Sequence, residues 1–173
     1  MTTRRHVISI GLVLLGMFPA FLPAPASAKG LPPLIARTFP KGLPAGTTVV
    51  NAHRISFAHG AAFADLAPVR ATCSAGLVCL YEDANYGGRE VSFSTCDYTG
   101  DGVCDWVNLI LFTFNDQMSS WKNMKTVDAK WSFNAGGGGT QRCMNSNSQN
   151  PQLSGANNDK ASAVIVYTSS TAC

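Results

Sequence analysis

The stretch CSAGLVCLYEDANYGGR, residues 73–89, decides how the rest of the chain is read. Its centre, LVCLYE, is a short β-type run ending on an aromatic residue. DANYGG follows at once, a run of turn formers closed by two glycines. The two cysteines, Cys73 and Cys79, flank a small loop that passes through turn-forming residues. Strand, tight turn and short cysteine loop within seventeen residues point to a small β domain held by disulfides.

The same grammar repeats downstream. REVSFST, VNLILFTF, SSWKNM, AKWSFN, TQRCMN and ASAVIVYT are further β-type runs. DYTGDG, NAGGGG and SGANND separate some of them. No window holds an apolar pattern of helical period with caps. Many short strands with frequent turns imply an all-β sandwich or barrel. An internal repeat is present as well. FNDQMSSWK, starting at Phe114, echoes NNDKASAVI, starting at Asn157, with a separation of 43 residues between Asn115 and Asn158. LYEDANYGG lies upstream of the first copy and WSFNAGGGG upstream of the second.

Residues 1–28 read as a signal peptide: Arg4 and Arg5, then VISIGLVLLGMFPAFL, then the small-residue cleavage site Ala26-Ser27-Ala28. Arg4-Arg5 is also the pair a twin-arginine signal needs. Pro19 and Pro23 break the apolar run, which argues against a retained anchor. Removing this segment from 173 residues leaves 145, enough for one ordinary domain. It carries away two arginines and no acid, so the formal charge falls from +3 to +1. A near-neutral chain offers no electrostatic case for nucleic acid or a membrane surface. A secreted, extracellular, soluble monomer is the expectation.

Residues 29–70 divide into a Pro- and Gly-rich stretch, expected as an extended arm, and HRISFAHGAAFADL, expected as a β-hairpin turning at His59-Gly60. Ala67-Pro68 reads as a boundary, and residues 71–173 form the main domain.

Six cysteines in an exported chain imply three disulfides. Six allow about 15 pairings. Short loops through turn formers favour Cys73–Cys79 and Cys96–Cys104, which leaves Cys143–Cys173 to tie down the C-terminus. Zinc is disfavoured, because no CxxC pair exists and His53 and His59 lie outside the cysteine region.

Catalysis has little to stand on, and the chain reads as no enzyme. Only His53 and His59 follow the signal segment, in or near the hairpin, so a Ser-His-Asp triad lacks its base. DYTGDGVCD has the wrong spacing for an EF-hand loop. AGGGGT lacks the Gly-Lys-Ser/Thr ending of a phosphate loop. Trp106, Trp121 and Trp131 read as strand-face or core residues, with a carbohydrate platform as the alternative.

Tyr81-x-x-x-x-Tyr86-x-Gly88, followed by Ser119-Ser120-Trp121, resembles the βγ-crystallin Greek key. In that motif the second aromatic covers a folded-over hairpin, and glycine stands where a Cβ would clash. Cys73-x-x-Gly76-x-x-Cys79 ahead of it resembles the secreted actinobacterial peptidase-inhibitor family of the Streptomyces-type metalloproteinase inhibitor. That likeness supports Cys73–Cys79. It implies two Greek-key motifs in a βγ-crystallin-like sandwich, inhibition of an extracellular protease, and no catalytic residues. The founding inhibitor presents its reactive bond in a second short disulfide loop, and Cys143 has no near partner here, so inhibitory residues do not carry over.

The crystallin likeness also implies Ca²⁺. Asp116 and Ser119 would serve with the Gln117 carbonyl, and Asp159 and Ser162 with the Lys160 carbonyl. Carbonyls near Glu82–Asp83 and at 134–136 would complete the shells. The alternative is a self-bonded turn in which Asn115 and Asp116 satisfy their own backbone. The second copy has Ala163 where a second serine is expected and no second aromatic in AGGGG. A calcium-binding structural or surface-binding module without inhibitory action is therefore the competing function.

Overall fold

The computed structural model describes residues 30–39, 42–43, 46–57, 62–66, 72–97 and 103–173. The signal segment, the hairpin tip His59-Gly60, the boundary at Ala67-Pro68 and residues 98–102 of the Cys96–Cys104 loop lie outside them.

Eleven strands among the described residues form two antiparallel sheets. The first Greek key uses β4 (Val78–Asp83), β5 (Gly87–Phe93), β6 (Val107–Asn108) and β7 (Ser120–Asn123). The second uses β8 (Ala129–Ser132), β9 (Gln141–Met144), β10 (Ser148–Asn150) and β11 (Ala163–Val166). The third strand of each motif crosses to the other's sheet. Thus β10 pairs with β7, and β6 pairs with β11. This exchange makes the two motifs one sandwich of βγ-crystallin type.

The N-terminal hairpin joins that sandwich. β2 (Arg54–Ser56) and β3 (Ala62–Asp65) pair antiparallel, as expected, and β3 then pairs with β5. β1 (Thr48–Val49) adds to β2, giving a sheet ordered β1-β2-β3-β5-β4-β7-β10. The other sheet runs β6-β11-β8-β9.

Two expectations are corrected. Part of the supposed extended arm is a short helix, α1 (Pro33–Thr38), with proline at its first turn and the Thr38 hydroxyl donating to the Leu34 carbonyl. Ile35, Phe39 and Leu43 from this region are buried in the main core, which explains why the segment stays folded back. VNLILFTF is not a continuous strand. β6 stops at Asn108, and Leu109–Phe112 wind into a 3-10 turn closed by Thr113 at φ +55°. Leu109 and Phe112 fall three residues apart and both point inward, the spacing of a 3-10 turn rather than of a strand. Two further elements were missed: β1, which lies in none of the runs read from the sequence, and β10, whose Ser-Gln-Asn has no apolar alternation.

The core lies between the sheets and is filled by Leu80, Val91, Phe93, Phe112, Phe114, Trp131 and Val164 among others. β4 is covered on its outer face too. There Cys73, Cys79 and Tyr81 form a second buried group against Leu77 and Tyr86. The Cys73–Cys79, Cys96–Cys104 and Cys143–Cys173 disulfides are all formed, and no described cysteine is free.

Glu90 is the costly residue of this outer face. It stands opposite Tyr81 on β4 and Asp65 on β3, 3% exposed, and Oε2 has no hydrogen-bond partner among the described residues. Ser92 donates to Oε1. Burial pushes the Glu90 carboxyl above its usual range, and Asp65 adds to the rise, while Ser92, Arg54 and Tyr81 oppose it. A raised folded-state value means the folded chain holds this proton more tightly than the unfolded one. The stabilisation is complete below about pH 4.5, the unfolded value, and is lost as pH climbs through the folded value. Glu90→Gln should therefore raise the melting temperature at pH 7 and flatten this pH dependence. Melts of both proteins across pH 4–8 check it, and a lower melting temperature for the variant at pH 7 counts against it.

Candidate functional site

Each Greek key begins with a folded hairpin, and the two are built differently. In the first, Asn85 and Tyr86 take left-handed backbone at φ +57° and +61°. Tyr86 packs edge-on to Tyr81 with centroids 5.6 Å apart, and Lys122 Nζ lies 4.0 Å from its centroid. Gly88 sits at φ +71°, where an added Cβ would meet Glu82 Cβ at 2.9 Å. Ser120 fastens the fold: its hydroxyl donates to the Asp83 carbonyl at 2.6 Å and accepts from the Tyr86 N–H at 3.1 Å. Ser120 is fully buried, so Ser120→Ala would leave both groups short of a partner. A loss of about 1–3 kcal/mol in chemical unfolding is expected, and a loss well under that range would show that the hydroxyl does not hold the hairpin.

The second hairpin keeps the geometry with other residues. Gly136, Gly137 and Gly139 occupy φ +65°, +82° and +70°, matching Asn85, Tyr86 and Gly88. The absent aromatic is replaced from outside the hairpin. The Trp106 ring covers Gly137 so closely that a Cβ there would lie 2.3 Å from it. With Ala163 in place of a second serine, the Ser132 hydroxyl donates to the Asn134 carbonyl at 2.8 Å, the counterpart of the Asp83 carbonyl. Asn108 Oδ1 accepts from the Gly136 N–H at 2.7 Å, as the Pro151 carbonyl does from the Asn85 N–H in the first hairpin. Trp106 and Asn108 come from the crossing strand and its approach, so no spacing within the repeat could reveal them.

The two Asn-Asp turns meet across the motif boundary. The Asp116 N–H donates to the Ala161 carbonyl at 2.9 Å, and the Asp159 N–H to the Met118 carbonyl at 3.1 Å. Both aspartates stand at φ +54°. Asn115 donates to Asp116 Oδ2 at 2.8 Å and Asn158 to Asp159 Oδ2 at 2.7 Å. The Ser119 N–H donates to Tyr81 and the Ser162 N–H to Ser132, matching places in the two hairpins. This pseudo-twofold arrangement is the structural form of the sequence repeat.

Between these turns lies a cleft of about 360 Å³ lined by Glu82, Asp83, Asp116, Gln117, Ser119 and Asp159. The expected residues are thus regrouped. Asp159 joins the set containing Asp116, Gln117 and Ser119, while Ser162 donates its hydroxyl to Asp116 Oδ1 at 3.0 Å. Lys160 is exposed and does not line the cleft. No group of three or more His, Cys, Asp or Glu side chains disposed to hold a metal occurs among the described residues. Any cation here would depend on carbonyl and hydroxyl oxygens beside one or two carboxylates. Those are the hard donors calcium takes, and the small number of charged ones limits affinity.

Arg89 was not anticipated. From β5 it ion-pairs with Glu82, with Nε 3.0 Å from Oε2. It also donates to the Thr113 hydroxyl and carbonyl, each at 3.1 Å, and to the Gln117 side chain. Arg89 does not itself line the cleft, but it holds two residues that do, Glu82 and Gln117, in place.

Residues 67–140 match the model of peptidase inhibitor family I36. Among solved structures, one from work on the evolution of the eye-lens βγ-crystallin domain fold is 25% identical, covering 58% of this chain and 93% of its own, with a TM-score of 0.46. A βγ-crystallin from Ciona intestinalis is 23% identical over 53% of this chain and 100% of its own, TM-score 0.43. A βγ-crystallin domain from Clostridium beijerinckii is 28% identical over 52% and 95%, TM-score 0.42. No curated protein matches the chain. No helix among the described residues is long and apolar enough to cross a membrane. The likeness carried by Cys73–Gly88 is thus met by the peptidase inhibitor family I36 model across residues 67–140, on a two-motif Greek-key domain.

Proposed function

We propose that the chain is a secreted proteinaceous inhibitor of an extracellular peptidase, acting as a rigid binding module and not as an enzyme. The observation that carries this is the family match over residues 67–140. The architecture suits the task. Three disulfides and a doubly covered β4 limit the flexibility that binding would otherwise have to quench. The signal segment and the disulfides support secretion, and a metallopeptidase is the target class favoured by the resemblance at Cys73–Cys79.

The test is residual activity of thermolysin, subtilisin and papain, each incubated with the chain beginning at residue 29. Inhibition of at least one at nanomolar to micromolar concentration is expected. Full activity of all three at high molar excess would sink the reading.

A second role is compatible with the first and rests on the cleft between the Asn-Asp turns. We propose that Asp116, Ser119 and Asp159, with the Gln117 carbonyl, take Ca²⁺ as a structural ion, and that the Asp116–Ser162 contact couples the motifs around it. Calorimetric melting with millimolar calcium and with chelator tests it. A higher melting temperature in calcium is expected, and coincident melts without binding heat would remove the ion.

A further inference from the structure

We propose that the 3-10 turn at Ile110-Leu111 is the surface through which the chain occupies an apolar pocket in a peptidase cleft. This rests on the inhibitor reading above and names the part of the molecule that performs it.

Most large apolar side chains are buried in this fold, and the exceptions among the described residues are Val50, Val103, Ile110, Leu111 and Met124. Ile110 and Leu111 are the one adjacent pair in that set, 63% and 43% exposed. They are displayed rather than merely left over. Leu109 and Phe112 on either side are completely buried, so the turn cannot roll its apex inward without emptying the core. The backbone is held at both shoulders. The Leu109 N–H donates to the Ser162 carbonyl at 2.9 Å, and the Phe114 N–H to the Leu109 carbonyl at 3.0 Å. The Thr113 N–H closes the turn on the Ile110 carbonyl at 3.2 Å, and Arg89 holds Thr113 by both hydroxyl and carbonyl.

Two aliphatic side chains on a fixed turn lose little freedom on binding, which is the property an inhibitory contact needs. The occupant follows from the family match, since residues 67–140 include the turn and the family's partners are peptidases. The pocket must be apolar, because both side chains are aliphatic and would leave a charged pocket unsatisfied.

The backbone also separates this contact from substrate binding. Peptidase clefts hold substrates extended, whereas residues 109–112 are wound and internally hydrogen-bonded. The turn therefore plugs the pocket, and the Ile110–Leu111 bond stays intact.

The experiment compares the wild-type chain from residue 29, Ile110→Asp/Leu111→Asp, and Met124→Asp against whichever peptidase of the panel the wild type inhibits. The double variant should raise the inhibition constant by about 100-fold or more. Its melting temperature should stay within about 2 °C of wild type, since both positions are exposed. Met124→Asp, at another exposed apolar position, should leave inhibition unchanged. Mass spectrometry after prolonged incubation should find no cleavage between residues 110 and 111. Three results would overturn the proposal while leaving the inhibitor reading standing: unchanged inhibition by the double variant, cleavage at that bond, or a wild-type dimer that the double variant dissociates. A wild type that inhibits no peptidase of the panel would overturn both.

Discussion

Phe112→Ala is expected to cost about 3–5 kcal/mol of unfolding free energy, the range for emptying a buried aromatic site. Phe112 is fully buried and meets Phe57 edge-on at 4.2 Å and Phe93 at 5.5 Å between ring centroids. Phe57 follows β2 in the N-terminal hairpin, and Phe93 ends β5 in the first Greek key. One ring thus joins the hairpin to the main core. Its loss should lower global stability and also expose the region before residue 66 to early proteolysis. Urea unfolding gives the first quantity and timed digestion the second. A loss below about 1 kcal/mol, in the range of a surface substitution, would mean that the three rings do not form one packed unit.

The second large effect concerns the C-terminus. Cys143 on β9 is bonded to Cys173 across a sequence separation of 30 residues, with Cα atoms 5.9 Å apart. Closing a loop of that size stabilises by about 3–4 kcal/mol in the chain-entropy treatment. The last residues have little else to hold them. The Cys173 N–H donates to Asp128 Oδ2 at 3.0 Å, and the Asp128 N–H donates to the Ser169 carbonyl at 2.9 Å. Cys143→Ala/Cys173→Ala should therefore lose most of that stabilisation and free the C-terminal residues for carboxypeptidase digestion. A variant that melts with the wild type would show that β11 and the Asp128 contacts suffice alone.

The sequence disclosed most where a residue's type is dictated by its backbone. Gly88 marks a place where a side chain would collide with Glu82, and Ser120 marks a hairpin needing a buried hydroxyl. The glycine repeats with the motif as Gly139, so LYEDANYGG and WSFNAGGGG could be aligned before any strand was placed, whereas the serine gives way to Ala163 in the second copy. Cysteine pairing was legible for a related reason: two short loops left only one pairing for Cys143 and Cys173.

Other features depend on contacts distant in sequence. Among the described residues β10 is a polar edge strand paired with β7 alone, so no apolar alternation announces it. Leu109-Ile110-Leu111-Phe112 is apolar throughout, and such a run does not distinguish strand from 3-10 turn. The distinction comes from Thr113 and from the end of the β6–β11 pairing at Asn108. Arg89 looks like any exposed strand arginine until Glu82, Thr113 and Gln117 converge on it. Trp106 reads as a generic strand-face aromatic until the fold lays it on Gly137. The cleft shows the same limit. Asp116 and Asp159 could each be named as candidate oxygen donors, but the crossing of the two turns determines which serine each one meets.

The most direct measurement of the central claim is an equivalence titration. A fixed concentration of thermolysin, well above the expected dissociation constant, is mixed with rising amounts of the chain beginning at residue 29, and residual peptidase activity is read. Peptidase inhibition by a rigid single-site module predicts a linear fall to zero at one molar equivalent, with the chain recovered intact. Activity that stays constant through tenfold excess, or a chain digested as substrate, would contradict it.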